Sequence, residues 1–240
     1  MSKADNLKIK LFQDGAELSA IQDTVKTNPL IKGFTTNPSL MRKAGISDYA
    51  AFAKQVIEVV GDLPISFEVF SDEFEEMERE ARVIRSWGGN TYVKIPVTNT
   101  RGDSAAPLIR KLSNEGIALN VTALLTLDQV KTVADALAPS TPSIVSVFAG
   151  RIADTGIDPM PLMREAVDIL ADNPNAELLW ASPRELLNVF QADEVGCHII
   201  TATKDVLAKL SLVGKDLTGY SLETVKMFFD DAKAAGYKLH

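Results

Sequence analysis

Cysteine is almost missing from this 240-residue chain: Cys197 is the only one, so no internal disulfide can form, and that usage suits a reducing compartment. Histidine is nearly as scarce. His198 and His240 are too few for a histidine-based metal centre, and no metal is expected. A serine–histidine triad would have to use His198, which sits in the apolar run "CHII" and reads as structural. The turn after the first apolar strand, "QDGAEL", lacks the GxGxxG of a dinucleotide-binding sheet, and no cofactor is expected. No stretch is long and apolar enough to span a bilayer, and the opening "MSKADNLKIK" has no apolar signal-peptide segment, so a cytoplasmic location is expected. Basic residues are outnumbered, 25 against 32, for a net charge of −7, which argues against nucleic acid or an anionic membrane as a partner.

What is present is a soluble, core-forming composition: 46% hydrophobic, 24% charged, with mean hydropathy near zero. No linker or low-complexity tract divides the chain, so residues 1–240 are expected to form a single domain. A short apolar strand followed by an amphipathic helix recurs eight times. The strands are predicted at 8–14, 31–37, 64–70, 91–97, 117–123, 143–149, 177–182 and 198–203. Near-continuous runs rich in β-branched residues fit parallel strands covered by helices. In "SDEFEEMEREARVIRSWGG" Phe74, Met77, Ala81 and Ile84 form an apolar stripe, with Glu73, Glu76 and Glu80 on a solvated face. Asp72 is the expected cap, and Gly88 and Gly89 the stop. Eight βα units predict a closed α/β (β/α)8 TIM barrel rather than an open sheet. Residues 221–240 read as an additional C-terminal helix capped by Ser221, with Leu222, Val225, Phe228, Phe229 and Ala232 on a face that must be buried on the barrel or on a neighbouring subunit.

Strand side chains alternate between faces, so parity sorts them. Ile65, Phe67 and Val69 should meet the helices, which turns Glu68 inward. Val93, Ile95 and Val97 do the same for Lys94, and Leu119 and Val121 for Asn120 and Thr122. Ser146 and Phe148, then Trp180 and Ser182, are predicted inward on strands six and seven, while Asp14 ends strand one and Asn37 ends strand two. Any one of these polar residues reads equally well as a satisfied core group. Together they make a polar interior where barrels usually place branched apolar side chains, and most lie near the carboxyl ends of strands, where barrel active sites are built.

The lysine is the informative member. Burying an ammonium without a partner is unfavourable by several kcal/mol. Desolvation favours the neutral amine, which attacks carbonyl carbon and forms a Schiff base. Carboxylates such as Asp14 and Glu68 could shuttle the protons that imine formation and C–C cleavage require. An ion pair between Lys94 and Glu68 serving only the fold is the alternative.

Several motifs together resemble one family, the transaldolases, class I Schiff-base barrels that include the fructose-6-phosphate aldolase-like enzymes. "GFTTNPSLM" (33–41) is similar to the Thr-x-Asn-Pro-Ser signature and "YVKIPVT" (92–98) to the strand bearing the Schiff-base lysine. "ALNVT" (118–122), "SVFAGRIADTG" (146–156) and "WASPRE" (180–185) resemble the remaining segments, the last a phosphate site. The resemblance implies a catalytic set of Lys94, Asp14, Glu68 and Thr122. It implies that Thr36, Asn37, Asn120, Ser146 and Phe148 hold the donor, and that Arg151, Ser182 and Arg184 bind phosphate. The implied reaction moves a dihydroxyacetone unit between sugar phosphates, from sedoheptulose 7-phosphate and glyceraldehyde 3-phosphate to erythrose 4-phosphate and fructose 6-phosphate. The alternative is fructose 6-phosphate cleavage to free dihydroxyacetone, whose practitioners tend to carry Gln and Tyr where Glu68 and Phe148 stand. Short members also resemble ring assemblies built through a C-terminal helix, which permits a homo-oligomer here.

Overall fold

In a computed structural model, residues 6–239 are described; His240 and the start of the opening segment lie outside them. The chain begins β1 (Lys10–Asp14), α1 (Leu18–Thr27), β2 (Ile31–Thr35), α2 (Pro38–Lys43), α3 (Tyr49–Val60), β3 (Ile65–Glu68) and α4 (Phe74–Ser86). It continues β4 (Thr91–Pro96), α5 (Ala106–Asn114), β5 (Leu119–Leu124), α6 (Leu127–Ala134), β6 (Ser143–Val147), α7 (Ala149–Asp154) and α8 (Pro159–Leu170). The last elements are β7 (Ala176–Trp180), α9 (Leu187–Glu194), β8 (Ile199–Thr203), α10 (Lys204–Ala208) and α11 (Leu217–Ala234). The strands are all parallel, in sequential order, and β1 pairs with β8 to close the barrel. The predicted (β/α)8 TIM barrel with an extra C-terminal helix is therefore the observed fold, with strand ends moved by one or two residues. Among the described residues no helix is long and apolar enough to cross a membrane.

Two apolar cores hold the barrel. The larger lies between strands and helices and takes Phe67, Val93, Ile95, Leu119 and Val121, as parity predicts. The smaller lies inside the barrel, where Phe12, Ile144, Leu179, Ala181 and Ile199 form a plug. Gly33 admits the Phe12 ring: a Cβ there would come within 2.5 Å of it. Above this plug the interior turns polar, so the site stands on a dry floor.

Four expectations need correction. Trp180 faces the helix layer, not the interior; Leu179 and Ala181 point inward instead. The run "LLW" is apolar throughout, so it offered no polar contrast to fix the parity. Asp72 does not cap α4. Its carboxylate accepts from the Thr100 amide and hydroxyl, both at 2.7 Å, tying two loops at the carboxyl end of the barrel. Glu80 is half-buried rather than solvated, because it accepts from Phe70 N, Ser71 N and Ser71 Oγ and so pins the loop after β3. The last helix starts a turn earlier than predicted: Asp216 caps it, accepting from Gly219 N at 2.6 Å, and Ser221 lies within it. None of its residues is buried, so the barrel does not cover its apolar face; Phe228 and Phe229 are 63% and 66% exposed.

Candidate active site

The carboxyl end of the barrel opens as a cavity of about 490 Å³. Asp14, Asn37, Glu68, Lys94, Asn120, Thr122, Ser146, Phe148, Arg151 and Ser182 all line it, brought together from strands 1 to 7 and the turns that follow them. Lys94 sits on β4, paired in register with Glu68 on β3 and Asn120 on β5. Its ammonium lies 3.2 Å from Glu68 Oε2 and donates to the Thr36 carbonyl at 3.1 Å. The residue is only 7% exposed, so a buried lysine forms part of the wall of the cavity.

Asp14 closes β1. Thr35 Oγ1 donates to Asp14 Oδ1 at 2.7 Å and meets Thr201 Oγ1 at 2.6 Å, a hydroxyl chain across β1, β2 and β8. Burial holds the Asp14 carboxyl above its ordinary value, while the Lys94 charge and the Thr35 hydrogen bond pull the other way. A carboxyl group so poised can both take and return a proton.

Opposite, Ser146 Oγ donates to Asn120 Oδ1 at 2.7 Å and Asn120 Nδ2 to Ser66 Oγ at 2.9 Å, fixing the amide. Thr122 Oγ1 is buried at the cavity with no protein partner, a hydroxyl available to whatever enters. Asn37 caps α2: its Oδ1 accepts from Leu40 N at 3.0 Å, which leaves its amide N–H groups for a ligand. Phe148 carries the Arg151 guanidinium 4.9 Å above its ring centroid. Ser182 reaches the cavity although it follows Ala181, because its φ of +57° breaks strand alternation. Gly150 makes this turn possible, since a Cβ there would run into the Ser182 carbonyl.

Two sequence candidates stand elsewhere. The Thr36 side chain turns away and donates to Ser66 O at 2.9 Å, so its contribution to the cavity is the carbonyl that receives Lys94. The residue that lines the cavity is its neighbour Thr35, as parity with Asn37 would have indicated. Arg184 is held outside by an ion pair with Asp154. Thr201, missed in the sequence, is inward by the same alternation. His198 is structural, its Nδ1 accepting from Leu178 N at 3.0 Å. Among the described residues, no cluster of His, Cys, Asp or Glu could hold a metal ion.

A parallel eight-stranded barrel with a lysine–carboxylate cavity at its carboxyl end belongs to the barrel enzymes. Residues 11–240 match the family described as Transaldolase/Fructose-6-phosphate aldolase, and the chain belongs to it. A protein of a Thermoanaerobacter species named "Probable transaldolase" is 36% identical over 232 residues, covering 96% of this chain and all of its relative. Another of that name from Sphingopyxis alaskensis is 33% identical over 91% of this chain and 98% of its own. A solved structure of a dihydrodipicolinate synthase family protein from Coccidioides immitis matches with a TM-score of 0.53 at 12% identity, over 81% of this chain and 67% of that one, a likeness of fold alone. The family and these relatives support an enzyme of the aldolase or transaldolase type.

Proposed function

We propose that the protein is a transaldolase that carries a dihydroxyacetone unit on Lys94. The observation that carries this reading is the Lys94 amine buried in a polar barrel cavity, 3.2 Å from Glu68, with Asp14 lining the same cavity. The amine attacks the C2 ketone of fructose 6-phosphate or sedoheptulose 7-phosphate. Glu68 passes two protons in turn from the nitrogen to the former ketone oxygen, one that the ammonium gives up before attack and one that the nitrogen loses after it, so the oxygen leaves as water and an iminium remains. The unpartnered Thr122 hydroxyl supports the proposal that a water at this point relays the proton. Asp14 then takes the C4 hydroxyl proton. The C3–C4 bonding pair moves into the iminium, and an aldose phosphate departs. The enamine left on Lys94 adds to a second aldose phosphate, Asp14 returns the proton, and hydrolysis frees the new ketose.

Asn37, Asn120 and Ser146 would hold the hydroxyls of the donor. Arg151 and Ser182 would bind the phosphate, the arginine as a fork; Arg184 would join them on leaving Asp154. Phe148 favours transfer over free aldol cleavage, because a phenyl ring has no proton to quench the enamine, which therefore waits for an acceptor. The substrates would be sugar phosphates of the pentose phosphate pathway in the cytoplasm.

The test is a borohydride trap with fructose 6-phosphate. A covalent adduct on Lys94 is expected, with sedoheptulose 7-phosphate formed only when erythrose 4-phosphate is supplied. An adduct that persists in Lys94→Ala would overturn the reading.

A further inference from the structure

We propose that Tyr49, outside the cavity, is the residue that positions Glu68 against Lys94. The inference rests on the function proposed above. Its origin is a broken rung in the sheet. β3 is the shortest strand, four residues, and pairs with β2 only through Phe34↔Ile65 and Thr35↔Ser66. The hydrogen bonds climb regularly at first: Phe34 N to Pro64 O at 2.8 Å, then Thr36 N to Ser66 O at 3.2 Å. In a parallel ladder the next rung would run from Glu68 N to Thr36 O. That bond is not made, because β2 ends and the chain turns into α2 at Asn37.

The two groups left over find other partners. Thr36 O accepts from Lys94 Nζ at 3.1 Å. Glu68 N donates to the Tyr49 hydroxyl at 2.8 Å, and the same hydroxyl donates to Glu68 O at 3.1 Å. A side chain from α3 thus stands in for a missing strand and brackets the Glu68 backbone on both polar groups. It has little freedom to move: its ring packs at 5.3 Å from Trp87, 6.0 Å from Phe67 and 4.6 Å from Phe70, centroid to centroid. Carboxylate and amine are therefore set by one substitution in the ladder, which fixes the peptide under Glu68 and releases a carbonyl to orient Lys94.

Tyr49→Phe removes the hydroxyl and keeps the ring. Since Tyr49 does not line the cavity, KM for fructose 6-phosphate should stay within about twofold while kcat falls about tenfold, part of the roughly 10²–10⁴ a placed acid–base group contributes. In a Glu68→Gln background the same change should have almost no further effect on kcat. Hydrogen exchange at the Glu68 amide should accelerate in Tyr49→Phe, a readout independent of turnover. An unchanged kcat, an equal fall in both backgrounds, or unaltered exchange overturns the proposal. Wild-type protein that exchanges Glu68 slowly yet forms no imine would sink the proposed reaction instead, leaving the bracketing contact in place.

Discussion

Glu68 and Lys94 occupy facing positions of the β3–β4 ladder, and their charged ends meet at 3.2 Å inside the barrel. Register puts them together, so the pair needs no loop to assemble it. It also defines the first prediction. Glu68→Gln keeps the shape and a hydrogen-bond acceptor but cannot take the nitrogen's proton. The rate of borohydride-trapped imine formation should fall about 10²-fold, with thermal stability little changed. Trapping at the wild-type rate would show that Glu68 does not carry the proton.

Asp14 offers a prediction in pH. Its folded-state affinity for protons is raised above the ordinary value of 3.8 by burial, so between that value and the folded one the native state binds more protons than the unfolded. Stability from this group is present at low pH and is lost as pH rises through that window. Asp14→Asn removes the unfavourable buried charge. The variant should be more stable than wild type at neutral pH, with the advantage shrinking on acidification towards 3.8, while turnover falls roughly 10²–10⁴-fold. Denaturant titrations at several pH values check the sign; a neutral-pH loss of stability contradicts it.

Phe148 should separate transfer from simple cleavage. Phe148→Tyr places a hydroxyl beside the cavity and retains the ring under Arg151. Free dihydroxyacetone formed from fructose 6-phosphate without an acceptor should rise about tenfold, a small part of the roughly 10²–10⁴ that a well-placed general acid contributes. Unchanged release would remove the argument for transferase over aldolase.

Gly150 lets the segment after β6 approach the turn at Ser182. Gly150→Ala must push that backbone aside, an overpacking penalty of about 1–3 kcal/mol, or roughly 2–12 °C in Tm. Because Arg151 and Ser182 flank the displaced atoms, KM for phosphorylated donors should rise more than KM for unphosphorylated dihydroxyacetone. Equal effects on both would detach these two residues from phosphate.

Much of the site was legible because parity is a local property. Glu68, Lys94 and Asn120 each stand between apolar neighbours that face the helices, and Thr122 follows another, Val121, so their direction follows from the chain itself. Where that contrast fails, so does the reading. The continuous apolar run at Leu178–Trp180 hid which residue points in, and the adjacent Thr35 and Thr36 allowed the wrong one to be chosen. Asp72 and Glu80 were drawn off to Thr100 and Ser71, partners that no helical pattern reveals.

The sequence by itself determined the eight repeated units, the barrel class and the inward lysine, since hydrophobic alternation is written residue by residue along each strand. Only the folded chain decided where strands stop and what replaces them: the Tyr49 hydroxyl at Glu68, the left-handed Ser182 beside Gly150, and Arg184 drawn to Asp154. Each of these joins residues 19 or more positions apart, and such meetings are set by how packed elements end in space rather than by any local preference.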